Sequence, residues 1–230
     1  MKESQQASSK LRVILVDDHA VVREGYRRLL ERTPDIQVIA EAASGEEAYR
    51  LICEQLPDVA VLDISLPGLG GIEVTRRVIA RLPQQKILIF SMHEDTVFSS
   101  RALQAGARGY VTKSAAPEVL IEAVRLVAAG KLYISQEMAQ ELAIQMIPGR
   151  EKPIDALSAR EFEVFRLLVA GHTLQEISEI MHLSYKTVAN YQSSIRQKLD
   201  VSNTAQVVRI ALNHGMISSV PAEDASAGPA

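Results

Sequence analysis

Five short apolar runs, separated by amphipathic stretches and most of them ending at a polar or charged side chain, occupy residues 11–129. Strands are read at Leu11–Val16, Gln37–Ala42, Val59–Leu62, Lys86–Phe90 and Gly109–Val111. Between and after them the 3.6-residue period predicts helices over Ala20–Thr33, Gly45–Gln55, Ile72–Arg81, Thr96–Ala105 and Pro117–Ala129. Runs this apolar have no solvent-facing side, so each strand must be covered on both faces. Alternating strands and helices satisfy that need in one way above others, a doubly wound parallel sheet. The expected fold class is therefore α/β with five parallel strands over residues 10–130.

From Leu157 the strand pattern stops and four helical segments follow: Ser158–Ala170, Leu174–Met181, Tyr185–Leu199 and Thr204–His214. Ser158, Thr173, Ser184 and Asn203 introduce them as capping residues, and Ser158 with Glu161 forms a capping-box pattern. A second, all-α domain is expected over 157–217. Residues 131–156 read as a linker containing a helix at Ser135–Met146. The stretch IPGREKPIDA within it spans roughly 16–19 Å as a flexible coil. The polar end, 218–230, reads as disordered.

Charge narrows the function of the second domain. Residues 150–217 carry 8 Lys/Arg against 7 Asp/Glu, so any nucleic-acid contact must come from local placement of charge. A single cysteine, Cys53, excludes an internal disulfide and a cysteine zinc cage. The opening MKESQQASSK has no signal-peptide core, and no apolar run approaches the roughly 18 residues that cross a bilayer. A cytoplasmic protein without membrane contact is expected.

Polar groups gather where the strands end. Asp17 and Asp18 follow the first, Asp63 the third, Ser91 the fourth and Lys113 the fifth. In an open parallel sheet those ends are where ligands collect. Three carboxylates converging on one point repel unless a cation sits among them, and magnesium suits oxygen donors that leave room for phosphate. A hydroxyl and an ammonium can hold phosphoryl oxygens. The set describes an aspartate nucleophile that accepts a phosphoryl group. Taken singly, Lys113 would be a solvated lysine, Tyr110 a core aromatic, and His19 and His93 loop residues.

The motifs VDDH at 16–19, LDISLPG at 62–68, Ser91 and GYVTK at 109–113 resemble the receiver domain of bacterial two-component response regulators, a flavodoxin-like fold. Residues 157–201 resemble the LuxR-type helix-turn-helix, and the two in this order resemble the NarL/FixJ group. The resemblance implies Asp63 as phospho-acceptor, with Asp18 and Asp63 binding magnesium, Asp17 acting through water and the Ser65 carbonyl completing the set. It further implies that Ser91 moves toward the phosphoryl group, that Tyr110 swings inward and that Lys113 pairs with phosphoryl oxygens. Met92 is bulkier than the residue many relatives carry there, and is expected to hinder hydrolytic water.

In the second domain, helices Leu174–Met181 and Tyr185–Leu199 form the expected pair, with the second in the major groove. Ala170, Ile177, Ile180, Leu183, Val188, Ile195 and Leu199 have the spacing of a small core. Lys186, Thr187, Ala189, Asn190 and Ser193 are the groove-facing candidates, with Lys198 near the helix end. Lys186, Thr187 and Lys198 suit phosphates, and Asn190 suits adenine. Val207, Val208 and Ala211 offer a face for self-association or for packing within the domain.

The function expected is a regulator that takes a phosphoryl group on Asp63 from a sensor histidine kinase and binds promoter DNA, as a homodimer when active, and is not an enzyme. Two alternatives stand beside it. One is a DNA-binding regulator with a receiver-like domain that works without phosphate. The other is an aspartate-nucleophile phosphatase of the haloacid-dehalogenase type, disfavoured because position 65 holds Ser where a second Asp would stand.

Overall fold

The computed structural model describes residues 10–94, 96–145 and 153–213. Five strands, β1 (Leu11–Val16), β2 (Ile36–Ala42), β3 (Val59–Leu62), β4 (Ile87–Ser91) and β5 (Gly109–Thr112), pair in parallel in the order β2-β1-β3-β4-β5. The α/β expectation holds. Helices α1 (Ala20–Glu31) and α5 (Pro117–Ala128) cover one face, and α2 (Gly45–Gln55), α3 (Gly71–Arg81) and α4 (Thr96–Gln104) cover the other.

The period-2 alternation of strand side chains divides the core. Val13, Leu15, Val59, Val61, Leu88 and Phe90 point to Leu30 of α1 and to Leu120, Val124 and Val127 of α5. Ile14, Val16, Ala60, Leu62, Ile87 and Ile89 point to the other layer, with Ile52, Val78 and Phe98. Because β1 lies between β2 and β3, the chain leaves β1 toward one edge and β3 toward the other. The crevice at such a reversal opens beyond the carboxyl ends of β1 and β3, where Asp17, Asp18 and Asp63 stand.

After α5 the chain returns to the sheet edge. The Tyr133 carbonyl accepts from the Tyr110 N–H at 2.8 Å, and the Tyr133 N–H donates to the Arg108 carbonyl at 3.0 Å. Backbone pairing across distant residues has no hydropathy pattern, which is why this stretch reads as linker. Helix α6 (Gln136–Gln145) starts at Ser135, whose hydroxyl accepts from the Met138 N–H, and it packs on α4. Met146, the middle of the proposed linker, His214 and the tail at 218–230 lie outside the described residues.

A 3₁₀ turn, Pro153–Ala156, leads into α7 (Ala159–Val169), α8 (Leu174–Ile180), α9 (Tyr185–Lys198) and α10 (Thr204–Asn213). Ser158, Thr173 and Ser184 cap their helices, and the Asn203 side chain accepts from the Gln206 N–H at 3.0 Å. Ile177, Val188, Ile195 and Leu199 are buried, joined by Val164, Phe165 and Leu168 of α7. Ala170 is instead exposed, because it stands at the C-cap of α7, where the chain turns out of the core. Val207 and Ala211 are buried within their own domain, against α7 among others, which removes them from any face between copies.

The two domains touch through α7. Phe162 meets Phe98 of α4 edge-on at 5.3 Å between ring centres, and the guanidinium of Arg101 lies 4.2 Å over the Phe162 ring. Arg160 reaches the buried carboxylate of Glu73 in α3 at 3.3 Å. Arg76 and Arg77 also bond that carboxylate; although burial raises its pKa, these guanidiniums outweigh the effect and hold it below the usual value.

Candidate phospho-acceptor and nucleic-acid sites

Backbone ties bring the polar strand ends together. The Asp17 N–H donates to the Ala42 carbonyl, the Asp63 N–H to the Val16 carbonyl, and the Lys113 N–H to the Ser91 carbonyl. Asp17 and Asp63 are almost wholly buried, and the Lys113 ammonium donates to one oxygen of each at 2.6 Å. Burial alone would lower the pKa of Lys113. Its hydrogen bonds and charge attraction to Asp17 and Asp63 prevail and hold it above the ordinary lysine value. The amine is a permanent cation at neutral pH.

One ammonium cannot neutralise three carboxylates. Asp18, partly exposed, turns to the His19 imidazole, with Nδ1 2.8 Å from its oxygen. Ligand atoms of Asp17, Asp18 and His19 lie within 4.8 Å of one another. Asp63 stands outside that cluster, across the ammonium from Asp17. Oxygen donors, a surplus of negative charge and access through the exposed Asp18 fit a hard divalent cation. His19, read from sequence as a loop residue, belongs to this cluster, held there by its sequence neighbours: its N–H donates to an Asp17 carboxylate oxygen at 2.9 Å.

The remaining residues surround Asp63. The Ser65 N–H donates to an Asp63 carboxylate oxygen at 3.3 Å. Ser91 is fully buried at the end of β4, and its hydroxyl accepts from the His93 N–H at 3.3 Å. Tyr110 is also buried, its hydroxyl donating to the His93 carbonyl at 2.7 Å. The ring lies inside in this conformation. Met92 is 70% exposed.

Gly71 holds this loop tight. A Cβ placed there would come within 2.0 Å of the Asp63 carbonyl oxygen. Gly71→Ala is therefore expected to push the Asp63 backbone away from Lys113 and to cost ~1–3 kcal/mol, the range for overpacking. Urea denaturation checks the loss, and an unchanged midpoint would refute the close approach.

On the second domain, the turn His182–Ser184 sets α9 across α8, with His182 in the left-handed region at φ 52°. Lys186, Asn190 and Ser193 are exposed along α9 although the receiver is docked, and Thr187 and Ala189 are half-buried. The helix carries Lys186, Arg196 and Lys198 and no acid. Three of the expected contacts have internal partners: the Thr187 hydroxyl pairs with Ser184, the Ser193 hydroxyl donates to the Ala189 carbonyl, and the Lys198 ammonium donates to Glu161 at 2.7 Å. Lys186 and Asn190 thus present the clearest outward polar groups of the set. No helix among the described residues is long and apolar enough to cross a membrane.

Comparison with known proteins matches both domains. Residues 13–125 match the response regulator receiver domain, and residues 155–211 match the bacterial regulatory proteins of the luxR family. The chain is 39% identical over 210 residues to the response regulator GacA of Pseudomonas protegens, covering 91% of this chain and 99% of the relative. It is 36% identical over 211 residues to the response regulator UvrY of Escherichia coli, covering 91% and 97%. Among solved structures, RcsB of Salmonella enterica serovar Typhimurium, bound to promoter P1flhDC with the phosphomimetic BeF3⁻, aligns with a TM-score of 0.68. It is 25% identical, and the alignment covers 88% of this chain and 98% of that one.

Proposed function

This chain belongs to the response regulators that join a receiver domain to a LuxR-type DNA-binding domain, and from that premise we propose that Asp63 is the residue phosphorylated and α9 the element that reads promoter DNA. The observation that carries the first half is the buried Lys113 ammonium bridging Asp17 and Asp63 at the switch point of the sheet.

Transfer proceeds from a phosphohistidine of a sensor histidine kinase. An Asp63 carboxylate oxygen attacks phosphorus, the P–N bond breaks, and its electron pair returns to the kinase imidazole. Lys113 exchanges its bond to Asp63 for one to a phosphoryl oxygen, and Ser91 donates its hydroxyl to another. Asp18, Asp63, Asp17 through water and the Ser65 carbonyl would hold a divalent cation, magnesium by the hardness of these donors, which neutralises phosphoryl charge when bound. The product carries about −1.5 to −2 of new charge in a pocket built around one ammonium, enough to bias a two-state loop.

The regulator acts in the cytoplasm, where promoter DNA is accessible. A single helix-turn-helix of nearly neutral charge binds DNA weakly, and pairing two copies on two half-sites supplies the missing affinity. Homodimerisation in the active state follows. Asn190→Ala is expected to weaken specific binding about 10–100-fold and to relax the preference at one adenine. Lys186→Ala should weaken all sequences alike and reduce the salt slope by about 1. Footprinting of the full chain with and without a small phosphoryl donor tests the whole reading. Protection that is indifferent to the donor would refute the phosphorylation half, and absence of any protected site would refute the DNA half.

A further inference from the structure

His93 makes four contacts that no single structural task requires. Its N–H donates to the Ser91 hydroxyl at 3.3 Å, and its carbonyl accepts from the Tyr110 hydroxyl at 2.7 Å. Its ring Nε2 pairs with the Ser65 hydroxyl at 3.0 Å. The same ring stacks on Phe98 with centres 3.9 Å apart and planes 10° from parallel. The first three partners belong to the acceptor pocket. The fourth belongs to the domain interface.

Phe98 is buried and meets Phe162 of α7. One turn further along α4, Arg101 caps the same Phe162 ring and donates to the carbonyls of Ile154 and Leu157 at 2.6 and 2.9 Å. A continuous path of contacts therefore runs from Ser65, through His93 and Phe98, to the first helix of the DNA-binding domain. We propose that His93 is the coupling residue of this chain: its imidazole ties the acceptor loop to the docked DNA-binding domain, and its displacement on phosphorylation loosens that docking. The inference rests on Asp63 as acceptor for its trigger, though not for the docking contact itself.

The physical reason is that His93 has little slack. Its bond to the Ser91 hydroxyl, at 3.3 Å, is already longer than the usual N–H···O range. Movement of that hydroxyl toward a phosphoryl oxygen breaks the bond or drags the His93 backbone. Ser65, whose N–H sits on the Asp63 carboxylate, shifts with the modified side chain and pulls the ring from the other side. A stacked ring in a packed interface responds by changing position rather than by gradual deformation. Coupling requires such a two-state element, and this contact supplies it.

Two variants separate the ring's two roles. His93→Phe keeps an aromatic face on Phe98 and loses the bond to Ser65. His93→Ala loses both. In the full chain with Cys53→Ser, spin labels at positions 54 and 175 report the interdomain distance, and a phosphate-affinity gel separately reports phosphorylation by acetyl phosphate. The parent chain is expected to be docked without donor and to lose docking with it. His93→Phe should take up phosphate and stay docked, its donor-driven release reduced about 5-fold or more. His93→Ala should be partly undocked before any donor is added. A His93→Phe chain that releases like the parent, or a His93→Ala chain that stays docked like the parent, overturns the proposal. A parent chain without a phosphate shift refutes the acceptor reading instead, and the donor-free arm on His93→Ala still decides the role of His93.

Discussion

Asp63→Asn is expected to give a folded chain that takes up no phosphate from acetyl phosphate or from a phosphorylated kinase and shows no donor-dependent change in promoter binding. The fold should survive because the substitution removes charge from a site with too much of it. In the native pocket one buried ammonium serves two buried carboxylates. Asparagine keeps the volume and a carbonyl acceptor, and it leaves Lys113 paired one to one with Asp17. Relief of like-charge repulsion offsets the lost bond. The thermal midpoint should fall no lower than that of the parent, so loss of response cannot be ascribed to unfolding. Acid-labile phosphate on the variant, measured by intact mass before and after mild acid, would show that another residue accepts the group. Lys113→Ala makes the complementary change. It leaves Asp17 and Asp63 buried without their cation, so there the loss of response should come together with lost stability.

The strand-end chemistry was readable from sequence because an apolar run that stops at Asp or Lys places that side chain at the sheet edge with no further information. Asp17, Asp63 and Lys113 are of this kind, and Ser91 closes its own strand in the same way. Contacts between elements far apart in the chain left no such trace. The Lys113 ammonium stands between two acids 50 and 96 residues away, whereas acids alone suggested that a metal must separate them. His93 lies in a loop and carries no pattern that predicts a stack on Phe98. Ala170 fits a helical core spacing until the helix ends one residue before it. Val207 and Ala211 face inward because α10 folds back on α7, a choice that amphipathicity leaves open. Lys198 reads as a phosphate ligand from its place on the recognition helix, and only the packing of α9 on α7 gives it a carboxylate partner.

That partner yields the second large effect. Glu161 is the N3 residue of the α7 cap and is nearly buried. One of its oxygens accepts from the Ser158 N–H at 2.6 Å and from Lys198 at 2.7 Å, and the other accepts from the Ser194 hydroxyl at 2.6 Å. Burial raises its pKa, but the bonds from Lys198, Ser194 and Ser158 overcome this and hold it at about 2. A carboxyl depressed from its ordinary 4.5 contributes stability that is whole above pH 4.5 and is lost as pH falls toward 2. The difference corresponds to about 3 kcal/mol, a large part of what a small helical domain possesses. Glu161→Gln should lose most of that at pH 7 and show a flatter acid limb between pH 4.5 and 2. Lys198→Met leaves the carboxylate without its cation; because Lys198 is partly exposed, solvent screening limits the cost to about 1–3 kcal/mol. Urea titrations at pH 7 and pH 3 measure both, and an acid limb in Glu161→Gln parallel to the parent's would refute the assignment. Since this pair holds α9 on α7, Lys198→Met should also weaken DNA binding while keeping the parent's salt slope. Lys186→Ala changes that slope, which distinguishes a lysine that positions the recognition helix from one that touches phosphate.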